Sequence, residues 1–178
     1  MSTYQTLITL GAFVLLSTLL VTFYQLLGQS GETVQSAQQG ITALTLLTTY
    51  TELAYGLHFD EATIDSFITP SQINLLTHPS NLGKENPPPT GEETEADFKT
   101  FDDFDDLNGY EIIEDNIPGV VGTYKARFNV YYVNPQNIDQ KMNSRTFVKR
   151  CDVKIWRDDP PSKDTLSSAI VMGYFHFD

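Results

Sequence analysis

Residues 7–27 read LITLGAFVLLSTLLVTFYQLL, an unbroken run without a charged side chain. At about 1.5 Å of rise per residue, a helix over this run is about 30 Å long, the thickness of a bilayer's hydrocarbon core. Its apolar residues occupy every side of such a helix, whereas a soluble surface helix keeps a polar stripe. The polar exceptions Thr9, Ser17, Thr18 and Thr22 can return their hydroxyls to backbone carbonyls a turn earlier, which makes them tolerable in lipid. No basic stretch precedes the run, so it reads as a retained helix rather than a cleaved secretory signal. A surface of this kind needs a cover, either lipid or the same helix of neighbouring copies. Neither flank carries Lys or Arg, so the positive-inside rule gives no orientation. The acidic remainder, from residue 28 onward, is expected outside.

A small-residue patch, Gly28-Gln29-Ser30-Gly31, follows and is the expected place for a bend or unwinding. Helical periodicity then resumes over about residues 32–57. Val34, Ala37, Ile41, Leu44, Leu47, Ala54 and Leu57 recur mostly at spacings of three, four and seven, with Leu46 and Tyr50 beside them. Interspersed threonines weaken intrinsic helicity, so packing must hold this part. Joined, the two segments make residues 1–57 one helical unit whose rod of about 50 residues is roughly 75 Å long. Half is expected in lipid or among partner helices, and half beneath a folded head.

Residues 58–109 read as a loop-rich connector. Pro70, Pro79, Pro87, Pro88 and Pro89, with Gly83 and Gly91, argue against regular structure from Ile68 to Phe98. The head, residues 110–178, shows three strand patterns. Over 120–133, Tyr124, Ala126, Phe128, Val130 and Tyr132 share one face. Over 146–156, Phe147, Cys151, Val153 and Ile155 share one face, with Val148, Arg150, Asp152, Lys154 and Trp156 opposite. The segment 168–177 is apolar on both faces and is expected to be well covered. Breaks at Pro135-Gln136-Asn137 and over 158–162 suggest an antiparallel meander. An apolar sheet face needs a cover, and the helix at 32–57 is the available one. The expected fold class is α+β: a long N-terminal helix packed on a C-terminal antiparallel β-sheet head.

The formal net charge of −12 repels phosphate backbones and argues against nucleic-acid partners. The charge is uneven. No Lys or Arg precedes Lys84, and twelve of the 23 acids lie between Glu85 and Asp115. The single cysteine, Cys151, allows no internal disulfide and reads as a buried strand residue. His58, His78 and His176 show no ligand or catalytic spacing. With no nucleophile, P-loop or dinucleotide motif present, the chain reads as a non-enzyme that requires no cofactor. The aromatics Tyr124, Phe128, Tyr131, Tyr132, Trp156, Tyr174 and Phe175 read as core and subunit contacts.

One cluster is chemically dense: Asp102, Asp103, Asp105, Asp106 and Asn108. Oxygen ligands followed by Gly109 suit a hard cation such as calcium, although the spacing is not that of an EF-hand loop. The other reading is a solvated acidic turn. Either way, four carboxylates so close repel one another unless a cation, Lys or Arg lies nearby.

The order of these parts resembles type IV pilins and the related pseudopilins of secretion systems. Local matches extend the resemblance over most of the chain. Leu53-Ala54 followed by Leu57-His58-Phe59-Asp60-Glu61 looks like the close of the pilin spine. Phe101 to Tyr110 is similar to the Asp-rich Asn-Gly loop before the pilin sheet. Tyr124 to Val133 running into Asn134-Pro135, and Val148-Lys149-Arg150 opening a strand, complete the pattern.

The resemblance implies a structural subunit of a bacterial, extracellular type IV pilus-like filament. It would be a helical homopolymer whose subunits wait in the inner membrane before assembly. Its assembly contacts would fall on Gln5, Leu7, Phe13, Leu16, Leu20, Phe23 and Leu27. Alternatives within and beyond the family are a minor pilin or pseudopilin of a secretion system, and a single-pass membrane-anchored surface binding module. Calcium binding in some family heads bears on the Asp102–Asn108 cluster. Nothing in the chain matches the family's basic leader ending in Gly. With Met1 as the mature terminus, the family's assembly glutamate falls on Gln5, which can hydrogen-bond to a neighbour's amine but not ion-pair with it.

Overall fold

The computed structural model describes residues 3–84, 98–161 and 164–175. The chain forms two units, one up to Thr42 and one from Ala43 onward. The first unit is helix throughout its described length and belongs to α1 (Thr3–Tyr55). Gly28 and Gly31 lie inside uninterrupted helix, so the chain does not unwind there. Hydroxyls turn inward onto the backbone: Thr9 donates to the Gln5 carbonyl, Ser17 to Phe13, Thr18 to Leu15 and Thr22 to Thr18. The helix pairs its backbone groups and these four hydroxyls internally, as a segment that meets lipid requires of its backbone.

The second unit opens with the last turns of α1. Leu47, Tyr50 and Ala54 are buried, with Ala43 and Leu46 packed beside them. Separations of three and four residues align these side chains on one face. Leu47, Ala54 and Leu57, with Leu46 and Tyr50 beside them, are the core-facing residues periodicity suggested. Leu44, in this unit, is exposed, as are Val34, Ala37 and Ile41 in the first unit. At the helix end, the Gly56 amide donates to the Leu53 carbonyl and the Leu57 amide to Ala54, which tightens the last turn and occupies carbonyls left over by the helix.

The sheet comprises β1 (Glu111–Glu114), β2 (Thr123–Asn134), β3 (Asn137–Lys141), β4 (Val148–Asp159) and β5 (Thr165–Gly173). The order is β1-β2-β4-β5, with β3 paired to the end of β2. Every pairing is antiparallel. The α+β class and the succession β2, β4, β5 are as expected. Strands β1 and β3 are additional. β1 has only four residues, and β3 is exposed along its whole length, so neither carries an alternating apolar signal. β5 departs from expectation too: it lies at the sheet edge, and only Ile170 in it is buried.

The inner faces match the alternation. Tyr124, Ala126, Phe128, Val130 and Tyr132 are buried on β2, and Cys151, Val153 and Ile155 on β4. Tyr50 packs edge-to-face on Phe128 with ring centroids 5.4 Å apart, and its hydroxyl donates to Glu114 Oε1 at 2.7 Å. Burial lifts the Cys151 thiol pKa to about 12, so the thiol stays protonated. The connector is not wholly irregular. A 3₁₀ helix spans Pro70–Leu75, and Pro suits its first position because that position needs no amide donor. The triple proline at 87–89 lies outside the described residues.

Candidate functional site: a buried lysine among four aspartates

Alternation along β4 puts Lys149 on the same side as Phe147, Cys151 and Val153, facing the core. Its side chain is fully buried. A buried ammonium must be paired and hydrogen-bonded, and this one is. Lys149 Nζ donates to Asp60 Oδ2 at 2.8 Å, to the Phe59 carbonyl at 2.7 Å and to Asp105 Oδ1. The Phe59 and Tyr132 rings wall the site, with centroids 4.7 and 5.4 Å from Nζ. Tyr132 stands opposite Lys149 in the β2–β4 register.

Asp60 is the hub. It follows the end of α1, held by the 3₁₀ turn Glu61–Thr63, where its side chain accepts from the Ala62 amide. The same carboxylate accepts from the Thr77 amide and hydroxyl and from the Tyr132 hydroxyl at 3.1 Å. Asp60 thereby joins α1's end, the segment around Thr77 and both central strands.

Of the remaining acids, Asp105 and Asp106 sit on the turn Asp105–Leu107 and Asp102 and Asp103 just before it. Asp103 Oδ1 accepts from the Asp105 and Asp106 amides at 2.7 and 3.2 Å. Asp106 Oδ2 accepts from the Asp102 and Asp103 amides, both at 3.2 Å. Aspartate favours such turns because its carboxylate reaches backbone amides two or three residues away. Asp60, Asp103, Asp105 and Asp106 are all fully buried, so the solvated-turn reading is corrected. Asp102 is half-buried. Asn108 stands apart from this set: its amide nitrogen donates to the Leu82 carbonyl and its oxygen accepts from the Val130 amide, tying the turn to β2.

Lys149 pairs with Asp60 and Asp105 and attracts Asp103, and the electrostatics follow from how far that attraction offsets burial. Desolvation outweighs the attraction of Lys149 and pushes the Asp103 carboxyl up to about 7, with Asp106 adding repulsion. Asp105 is also raised well above the usual carboxylate range, again chiefly by desolvation. Burial alone would lower the pKa of Lys149, but Asp105, Asp103 and Asp60 outweigh it and hold the ammonium above its ordinary value. Burial and the Asp60 carboxylate raise Tyr132, so its hydroxyl remains a donor. Asp103 and Asp105 thus hold a proton more readily than an exposed aspartate does.

Among the described residues, no group of three or more His, Cys, Asp or Glu side chains is placed to hold a metal ion. Calcium needs about six to eight oxygen ligands. Here the backbone amides already engage Asp103 and Asp106, Asn108 faces elsewhere, and an ammonium supplies the positive charge. The expected requirement for a nearby cation or basic side chain is met by Lys149. Sequence reading assigns Phe147, Cys151 and Val153 to the inner face of β4 and leaves the intervening Lys149 unplaced; strand parity was the signal that points to it.

The second feature is the surface of α1 in the first unit. Gln5, Leu7, Phe13, Leu16, Leu20, Phe23 and Leu27 are all exposed; even Leu20, the most sheltered of the six apolar members, is 47% exposed. Phe13, Leu16, Leu20, Phe23 and Leu27 follow spacings of three and four and form one stripe. Leu7, six residues before Phe13, falls on another side of the helix. α1 is long and apolar enough to cross a membrane, and none of its most apolar stretch is buried within the chain. Comparison with protein-family models, curated proteins and solved structures finds no match to this chain.

Proposed function

We propose that this chain is a structural subunit of a type IV pilus-like filament on the cell surface, held in the inner membrane until it assembles. The observation that carries this reading is the uncharged apolar surface of α1, exposed on every side over residues 7–27. Such a surface is stable only when covered, at about 25 cal/mol per Å² of apolar area removed from water. Lipid covers it before assembly, and copies of the same helix cover it afterwards. The Phe13–Leu27 stripe is the seam along which copies meet, and the β-sheet unit carries the water-facing surface. The order of parts and the Phe59-Asp60-Glu61 element support the pilin-like assignment.

A membrane-anchored binding module would need a pocket with converging polar groups. The groove of about 350 Å³ beside β4 is lined by Ile68, Pro70, Pro135, Phe147, Val148, Tyr174 and Phe175, and the Tyr174 hydroxyl there is turned to the Ile68 amide. The test is negative-stain microscopy of material sheared from expressing cells, with the subunit identified by mass spectrometry. Filaments built from the chain, lost in Leu20→Arg, are expected. A chain that stays wholly in the membrane fraction, with no filaments, overturns the proposal. A chain found only as a trace component of filaments made from another subunit moves the assignment to a minor pilin or pseudopilin.

A further inference from the structure

We infer that Lys149 and Asp105 are the two halves of an intramolecular amide cross-link, a modification site built into the head. Three observations carry it. The amine and the carboxyl are in hydrogen-bond contact and both are fully buried. A second carboxylate, Asp60, lies 2.8 Å from the same nitrogen. Aromatic rings of Phe59 and Tyr132 surround that nitrogen. The site therefore holds a nucleophile, an electrophile and a proton carrier together in dry surroundings. The other oxygen of Asp105 is buried and makes no hydrogen bond among the described residues, so none of them anchors that side of the carboxyl against reaction.

The chemistry balances without any oxidant or cofactor. The reacting state has Asp105 as the neutral acid, Lys149 as the ammonium and Asp60 as the carboxylate. Asp60 takes one proton from Nζ. Rotation about the Cε–Nζ bond turns the freed lone pair to the Asp105 carboxyl carbon, and the C–N bond forms. Asp60 returns its proton to the departing hydroxyl, which leaves as water, and accepts the second proton that nitrogen sheds. The products are a secondary amide, one water and protonated Asp60, with net charge unchanged at zero. Fixed placement supplies the effective concentration that amide formation between a free amine and a free acid lacks, and a positioned acid–base group typically contributes about 10²–10⁴-fold. The product is favoured in this setting because a neutral amide replaces a buried ammonium and its carboxyl partner.

The bond would join the turn Asp105–Leu107 to β4 and close a covalent ring through β1, β2 and β3. The inference does not depend on filament assembly, since it concerns the second unit alone.

The test is the intact mass of the full-length, detergent-purified chain under denaturing conditions, followed by peptide mapping. The expected result is a mass about 18 Da, one water, below that of the uncross-linked chain, and a branched peptide joining the segments around Asp105 and Lys149. Lys149→Arg keeps a cation in the site and is expected to lack both signatures. Asp60→Asn is expected to slow cross-linking at least about 100-fold while retaining the far-ultraviolet signature of the sheet. A wild-type chain with folded Trp156 fluorescence and no branched peptide overturns the inference. A cross-link that forms at an undiminished rate in Asp60→Asn overturns the role given to Asp60.

Discussion

Two regions of this molecule reverse the usual placement of residues, in opposite directions. Along α1 up to Thr42, large apolar side chains such as Leu7, Phe13 and Leu15 face outward. In the β-sheet unit, four carboxylates and a lysine are fully buried. Both arrangements cost free energy in isolation, the first through exposed hydrocarbon and the second through desolvated charge. The second finds part of its compensation inside the chain, since backbone amides, Tyr132, Thr77 and Lys149 face the carboxylates. The first finds none there. An element that satisfies itself specifies a fold, and an element that does not specifies a partner.

The sharpest way to break this comparison is to remove the compensation from the buried cluster. In a chain that carries no cross-link, Lys149→Ala removes the cation that pairs with Asp60 and Asp105 among the described residues, and loss of one partner of a buried pair costs about 3–5 kcal/mol. Urea unfolding in detergent, followed through Trp156, the single tryptophan, is expected to show a drop of that size. An unchanged midpoint would mean the cluster does not hold the head. The matching change in the other region is Leu20→Arg. A charge at the centre of a membrane helix costs about 2.5–3.5 kcal/mol, so membrane retention against alkaline carbonate wash is expected to fall while the unfolding of the head stays unchanged.

A smaller effect separates the regions by pH. Asp103 titrates near 7 in the folded head but near 4 in an unfolded chain. Between those values the native state binds more protons than the unfolded state, so stability falls as pH rises, by about 1.4 kcal/mol per pH unit for each full proton of difference. Asp103→Asn is expected to flatten this slope. Membrane retention of the uncharged α1 run is expected to show no such dependence. The smallest effect belongs to the exposed pair in which Arg127 Nε donates to Glu111 Oε2 at 2.8 Å. Arg127→Ala is expected to cost about 0–1 kcal/mol, a direct contrast with Lys149 in the same unfolding assay.

Much of the fold is legible in residue order alone, for reasons that differ by element. The run at 7–27 declares itself by length and lack of charge. β2 declares itself because Tyr124 through Tyr132 alternate without interruption. β3 is not legible: Asn137-Ile138-Asp139-Gln140-Lys141 has no apolar face, and only pairing with β2 makes it a strand. The face of α1 that meets the sheet is half legible, because Leu44 and Leu47 both fit a helical stripe and only packing decides that Leu44 turns outward. The site is legible in its parts but not as a whole. Parity places Lys149 inward, yet Asp60, Thr77, Asp105 and Tyr132 lie far from it in sequence, and only the folded chain brings them to one ammonium. The cluster's burial has the same origin: an Asp-rich turn resembles a solvated loop until β2 and β4 close over it.

The central claim is that copies of the same helix cover the apolar surface of α1. Its most direct measurement is photocross-linking in intact cells with a benzophenone side chain at Leu16, Leu20 or Phe23, and at Ile138 on exposed β3 as the control. The account predicts a ladder of dimers, trimers and higher species from the three helix positions, each band containing only this chain, and little cross-linking from Ile138. Helix positions that yield only monomer and lipid adducts, under conditions where the chain is abundant at the cell surface, would contradict it.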